Sequence, residues 1–248
     1  MPGNFLFTNI AAMSASTQNI AQYFKGYFIH SPEAMQQKLL QCKAYVFDWD
    51  GVFNDGTKDN SGSSPFSEVD AMGTNLLRFS HYLLTGTHPF VAVISGEKNG
   101  AAFNLAQREH FDNVYFKIKH KAIAIEHFCH QHHLQPQQVC FVFDDVLDFS
   151  AAAIVGVRVM VKQAATALLQ QYAIEKNWVD YLTHAPGGQH AVRETTELLM
   201  ALHNNYNQTI EGRTLFNNAY KTYLEKRQET VTAFYTANID NSITPALI

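Results

Sequence analysis

Apolar residues in this chain fall into short continuous runs, separated by longer stretches in which they recur every three or four positions. Ala44–Phe47, Pro89–Ile94 (P-F-V-A-V-I), Asn113–Phe116, Val139–Phe143 (V-C-F-V-F) and Val155–Val161 are runs of the first kind. They predict strands buried on both faces. Between and after them, Ala71–Leu84, Asn99–His110, Lys119–Leu134, Val146–Ala153, Ala164–Glu175 and Gln189–His203 predict helices, with a short strand at Val179–Leu182. Strands and helices in alternation predict an α/β fold, a parallel sheet with helices on both faces.

The flanks read differently. Residues 1–42 predict a helical N-terminal extension: Ile20, Tyr23, Phe24 and Tyr27 have helical spacing within Thr17–Phe28. Ser31-Pro32-Glu33 then starts a helix running to about Gln41, with a serine cap, a proline at the first position and an acid in the first turn. Residues 205–248 predict a helical C-terminal extension, amphipathic over Leu215–Phe234, with a loose tail from Asn238. The domain proper is then 43–204. Asn54-Asp55-Gly56 and Asn60–Pro65 are turn-rich and predict a loop or small β-hairpin after the first strand.

Composition narrows the classes. The chain has 248 residues and a formal charge of −4 without a basic cluster, which argues against nucleic acid as a partner. No window has the length of a membrane span, and the amino terminus lacks the basic flank and apolar block of a secretory signal. Cys42, Cys129 and Cys140 form no CxxC pair, and reduced thiols predict a cytoplasmic protein. His127, Cys129, His130, His132 and His133 invite a zinc site, but no partner motif accompanies them, and a polar helix face is the preferred reading.

Ligand chemistry in a parallel sheet collects at the carboxyl ends of its strands. Here three such ends carry Asp48 and Asp50, Ser95, and Asp144 with Asp145. Any one aspartate after a strand can simply cap a helix; three ends converging point to chemistry. The set suits hydrolysis of a phosphate ester. Asp48 serves as nucleophile, and Asp50, two residues on, as acid for the leaving group and then base for water. A carboxylate meets a phosphate dianion only with a cation between them, and Mg²⁺ held by Asp48, Asp144 and the backbone carbonyl of Asp50 supplies it. Ser95, with the N–H groups of Gly96 and Glu97, binds phosphoryl oxygens. Lys121 at a helix start, or Lys119 in its place, completes the neutralisation. Asp145 orients water, and Asp148 either orients Lys121 or starts a helix. Trp49 packs beneath the strand end.

In order and spacing, D-W-D-G-V at Asp48–Val52, V-I-S-G ending at Gly96, Lys121, and D-D-V-L-D at Asp144–Asp148 resemble the four motifs of the haloacid dehalogenase (HAD) superfamily. The resemblance implies a Rossmann-like, HAD-like fold acting through an aspartyl-phosphate. Neither the Asp48–Ser95 nor the Lys121–Asp144 interval can hold a large cap. Within the capless branch, D-G-V-F-N-D-G at Asp50–Gly56 and G-G-Q-H-A-V-R-E at Gly187–Glu194 are similar to 3-deoxy-D-manno-octulosonate 8-phosphate phosphatases and related nonulosonate 9-phosphate phosphatases. That implies a small sugar or sugar-acid phosphate as substrate, Asn54, Gly96, Glu97 and Lys121 against it, and a homotetramer with Asn54–Pro65 at its centre.

Four positions depart from that pattern. Glu97 stands where the family has arginine, Val69 where it has another, and Phe143 and His190 where it has glycine. Losing arginines removes bidentate, charge-assisted bonds to an anionic substrate, which puts the octulosonate ester in question. The rival reading is a catalytically drifted, oligomeric binding module on the same fold.

Overall fold

The computed structural model describes residues 17–248. In chain order its regular elements are β1 (Tyr27–Phe28), α1 (Pro32–Leu39), β2 (Ala44–Asp48), α2 (Glu68–Thr85), β3 (Phe90–Ile94) and α3 (Gly100–Glu109). There follow β4 (Asn113–Phe116), α4 (Lys121–Gln131), β5 (Val139–Phe143), α5 (Phe149–Ala152), β6 (Val157–Lys162), α6 (Ala167–Glu175), β7 (Tyr181–Pro186) and α7 (Ala191–Leu202). The chain continues through α8 (Tyr206–Thr214), α9 (Asn218–Gln228), β8 (Ala233–Ala237) and β9 (Ile243–Pro245).

All strands join one sheet in the order β1-β7-β6-β5-β2-β3-β4-β8-β9. It is parallel from β7 to β8 and carries an antiparallel strand at each edge. Side chains of β2 alternate between two apolar layers, as the pleat requires. Tyr45 and Phe47 enter the layer that includes α2 and α7, and Val46 the layer that includes α4. Parallel register sets the carboxyl ends level: Asp48 lies opposite Ile94, and Phe47 opposite Val142. The chain therefore leaves β3 and β5 on either side of Asp48.

Caps fix the helices where the sequence marks them. Ser31 accepts from the Ala34 N–H with Pro32 at the helix start, and Asn99 accepts from the N–H groups of Ala101 and Ala102. Helix α2 ends on Gly86, whose φ of 73° is a left-handed conformation suited to glycine.

Three expectations need correction. Thr17–Phe28 is not one helix: a 3-10 turn over Thr17–Gln22 gives way to β1, antiparallel to β7. Gly26 lies so close to Tyr181 that a Cβ would stand 2.1 Å from its hydroxyl, so the chain must run flat against β7 there. Residues 1–16 of the expected N-terminal extension lie outside the described residues. Asn54–Pro65 forms no hairpin but a loop, because its polar side chains take the backbone N–H groups a ladder would use. Asn54 Oδ1 accepts from Gly51 and Gly56, and Asp59 Oδ1 from Ser61 and Ser63. At the carboxyl end, α8 and α9 are helical as expected, but Ala233–Ala237 is a strand and the tail holds another. Tyr235 stacks on Tyr115 of β4 at 5.2 Å and Phe234 packs on Phe103 of α3, so apolar contact with β4 and α3 favours the extended form.

Candidate active site

The continuous apolar run of β2 buries the strand completely, so the first polar residue after it, Asp48, starts life in a dry place. It is buried, as are Lys121, Asp144 and Asp148. Lys121, the first residue of α4, puts its ammonium 2.5 Å from Asp48 Oδ1 and 2.5 Å from Asp148 Oδ1. Asp148 holds its own strand end together: its Oδ2 accepts from the N–H groups of Asp144 (3.3 Å) and Asp145 (3.1 Å).

Three carboxylates thus face one ammonium. One oxygen each from Asp48, Asp144 and Asp148 lie within 4.8 Å of one another. Burial, then the neighbouring Asp148 charge, pushes Asp48 up to about 7 against the pull of Lys121. Asp144 is pushed further, to about 9, by burial and then by Asp48 and Asp148. Burial alone would lower Lys121, but Asp148 and Asp48 together outweigh it and hold the ammonium above its ordinary range. Asp144 Oδ1 is buried with no hydrogen-bond partner among the described residues. An all-oxygen set with surplus negative charge and one unpartnered oxygen fits a hard divalent cation.

These groups lie in a cavity of about 700 Å³ whose wall includes Asp50, Gly96, Glu97, Lys119 and Gln163. Asp50 is held at both oxygens, by Lys58 Nζ at 2.8 Å and by Ser64 Oγ at 2.6 Å. Glu97 is exposed within the wall. Asp145 accepts from the Val146 N–H at 2.7 Å, capping the turn that follows, and lines the cavity too.

Two expected residues lie behind the cavity wall. Ser95 is only 1% exposed and its Oγ accepts from the Glu97 N–H, so it shapes the turn and leaves the wall to Gly96 and Glu97. Asn54 is buried and spends its amide on the loop, donating to the Trp49 carbonyl and accepting from Gly51 and Gly56. Trp49 is fully buried, stacked on Phe53 at 4.8 Å, and donates to the Ser64 carbonyl. Between the two candidate lysines, Lys121 reaches the acids and Lys119 lines the wall. The histidines near Cys129 do not gather: His127 meets the Tyr115 hydroxyl and His132 the Asn113 amide oxygen.

Sequence reasoning missed Lys58, Ser64 and Gln163, all in loops without periodicity. It also missed what the late glycines do. A Cβ on Gly187 would stand 2.0 Å from the Gly51 carbonyl, and one on Gly188 2.9 Å from the Asp55 nitrogen, so this pair lets the strand-end loop settle. His190 adopts a φ of 68° before α7, and its ring reaches Ser67 Oγ at 3.2 Å. That conformation explains why glycine is a natural occupant there.

No protein-family model matches the chain. Among curated proteins it is 28% identical over 174 residues to the 3-deoxy-D-manno-octulosonate 8-phosphate phosphatase KdsC of Salmonella typhimurium, covering 68% of this chain and 85% of that protein. Among solved structures it is similar to a HAD superfamily (subfamily III A) hydrolase from Legionella pneumophila, at 25% identity and a TM-score of 0.61, over 74% of this chain and 95% of that one. A 3-deoxy-D-manno-octulosonate 8-phosphate phosphatase from Moraxella catarrhalis, solved with magnesium, phosphate and the sugar acid, shares the fold at 22% identity and a TM-score of 0.62, over 76% of this chain and all of that one.

Proposed function

We propose that this chain, a HAD-type phosphatase by its curated relatives and its fold, is a Mg²⁺-dependent phosphomonoester hydrolase acting on a small sugar or sugar-acid phosphate through an aspartyl-phosphate. The observation that carries the reading is the buried Asp48–Asp144–Asp148 group on the wall of the cavity, with the Lys121 ammonium against Asp48 and Asp148.

In this reading, Asp48, Asp144 and the Asp50 backbone carbonyl hold the cation. When bound, it offsets the repulsion between Asp48 and the phosphate dianion and draws charge from the phosphoryl oxygens. Asp48 attacks phosphorus, the bond to the leaving oxygen breaks, and Asp50 gives that oxygen its proton. Asp50 then takes a proton from water as the water oxygen attacks phosphorus and the bond to Asp48 breaks, releasing phosphate and restoring the Asp48 carboxylate and the protonated Asp50. Lys121 neutralises charge on the phosphoryl group, Asp148 aims Lys121, and the Ser95 turn presents Gly96 and Glu97 to the substrate. Lys58 and Ser64 hold Asp50 at the cavity wall. Assembly as a homotetramer around the Asn54–Pro65 loop belongs to the same reading and is checked by light scattering.

Acid quench during turnover, followed by peptide mass analysis, is expected to find the phosphoryl group on Asp48. A screen of sugar and sugar-acid phosphates identifies the ester. Steady turnover with no phosphoryl group on Asp48 would overturn the mechanism, and no turnover of any ester would favour the drifted binding module.

A further inference from the structure

Gln163, the first residue after β6, makes an unusual pair of contacts for one amide. Its Nε2 donates to the Gly51 carbonyl at 2.8 Å and to Asp144 Oδ2 at 3.0 Å. Its own carbonyl accepts from Gln170 Nε2 at 2.5 Å, and Gln170 is itself buried, which anchors the loop that carries it. Three strand ends, those of β2, β5 and β6, therefore meet at one side chain.

The surroundings leave Asp144 little freedom. A Cβ at Gly51, whose φ is 82°, would stand 2.0 Å from Asp144 Oδ2, so Oδ2 is wedged between that glycine and the Gln163 amide. The Gly51 carbonyl is wedged in turn between Gln163 and Gly187. With Oδ2 occupied, Oδ1 is the oxygen left over, buried and without a partner among the described residues. A carboxylate free to rotate would spend both oxygens on whatever donor came near. This one cannot.

We infer that Gln163 is a positioning residue: it fixes Asp144 so that Oδ1 alone is offered to the divalent cation, and through Gly51 it ties that offer to the loop bearing Asp50. The inference rests on the metal-dependent phosphatase reading above and adds a residue to it. Partners that orient a ligating carboxylate typically account for about 10–100-fold in metal affinity.

The test uses the full chain and Mn²⁺ as the probe, with binding read from loss of the free-ion paramagnetic resonance signal. Gln163→Met keeps the length of the side chain and removes the donor. It is expected to bind Mn²⁺ about 10–100-fold more weakly, with metal-free Tm close to that of the parent. Gln163→Asn, whose amide is too short to span both acceptors, is expected to weaken binding in the same direction and serves if the Met variant does not fold. Mn²⁺ affinity equal to the parent in the folded variants would overturn the inference and leave the phosphatase reading standing. A large fall in metal-free Tm with affinity unchanged would mark Gln163 as structural only, and also overturn it. If the parent neither binds Mn²⁺ nor releases phosphate from any ester, the metal-dependent reading itself fails, and this inference with it.

Discussion

Two buried aspartate clusters sit on the same sheet and have opposite charge balance. At the edge near β1, Asp180 meets His30 at 2.8 Å, Lys38 at 2.6 Å and Arg158 at 2.9 Å. Burial would raise its carboxyl, but bonds from Arg158 and Lys38 hold it below the usual range. At the centre, three acids lie together and, among the described residues, Lys121 is the cation paired with them, through Asp48 and Asp148; Asp48 and Asp144 are raised. The first cluster is complete and ties α1 to β6 and the loop before β7. The second is short of positive charge, and buried acids raised in this way mark a candidate functional site. Burial of acids does not mark a site; the sign left over does.

That contrast can be broken in four ways. The largest effect is expected from Asp48→Asn, which removes the proposed nucleophile: phosphate release should fall by about 10³-fold or more, the scale of removing a covalent catalyst. Its metal-free Tm should hold or rise, because one repelling charge is gone. A phosphate-release assay and calorimetry read both, and retained activity would sink the nucleophile assignment. Asp180→Asn should do the reverse. Leaving Arg158 and Lys38 without their counter-charge is expected to cost about 3–5 kcal/mol in denaturant unfolding, while activity per folded molecule stays at the parent level.

Acidity separates the clusters next. Asp48 and Asp144 have folded values above their unfolded ones, so their contribution to stability is present at low pH. It is lost as pH rises through about 7 and about 9. The contribution of Asp180, whose value is lowered, is present above the unfolded carboxylate range and lost as pH falls. In chelator, Tm should therefore decline from pH 6 to pH 9. Mg²⁺ at a hundredfold excess over Kd should restore about 2.7 kcal/mol, and should not do so in Asp48→Asn. A chelated protein whose Tm rises over that range would contradict the charge deficit. The smallest effect is expected from Glu97→Arg. Placing a guanidinium in the cavity wall should raise the turnover ratio of octulosonate 8-phosphate to a neutral sugar phosphate by about tenfold, the value of one charge-assisted bond. An unchanged ratio would remove Glu97 from substrate selection.

Much of this was legible in the chain because strand ends are set by apolar runs. Val139–Phe143 and Asn113–Phe116 are strands at the predicted residues, and the polar groups just beyond such runs must emerge together. The sequence preferred Lys121 to Lys119 as the residue at a helix start, and α4 begins at Lys121. Lys58 and Gln163 were illegible since a loop has no period to aim a side chain. At Asn54, N-D-G suits a ligand contact and an Asx turn equally, and the structure shows the turn. Ala233–Ala237 was hidden by its neighbour: five residues after a charged helix carry too little pattern to overrule it, and only the facing rings of β4 make them a strand.

That strand has a bearing on how the molecule comes together. Ala233 pairs with Asn113, so β4 stays an open edge until the α8–α9 hairpin has been made and folded back across α2. The strands that carry Asp48 and Asp144 can pair well before then. Until β8 is made, β4, with Val114 and Tyr115 in it, presents an unpaired edge of the kind that can pair with another chain.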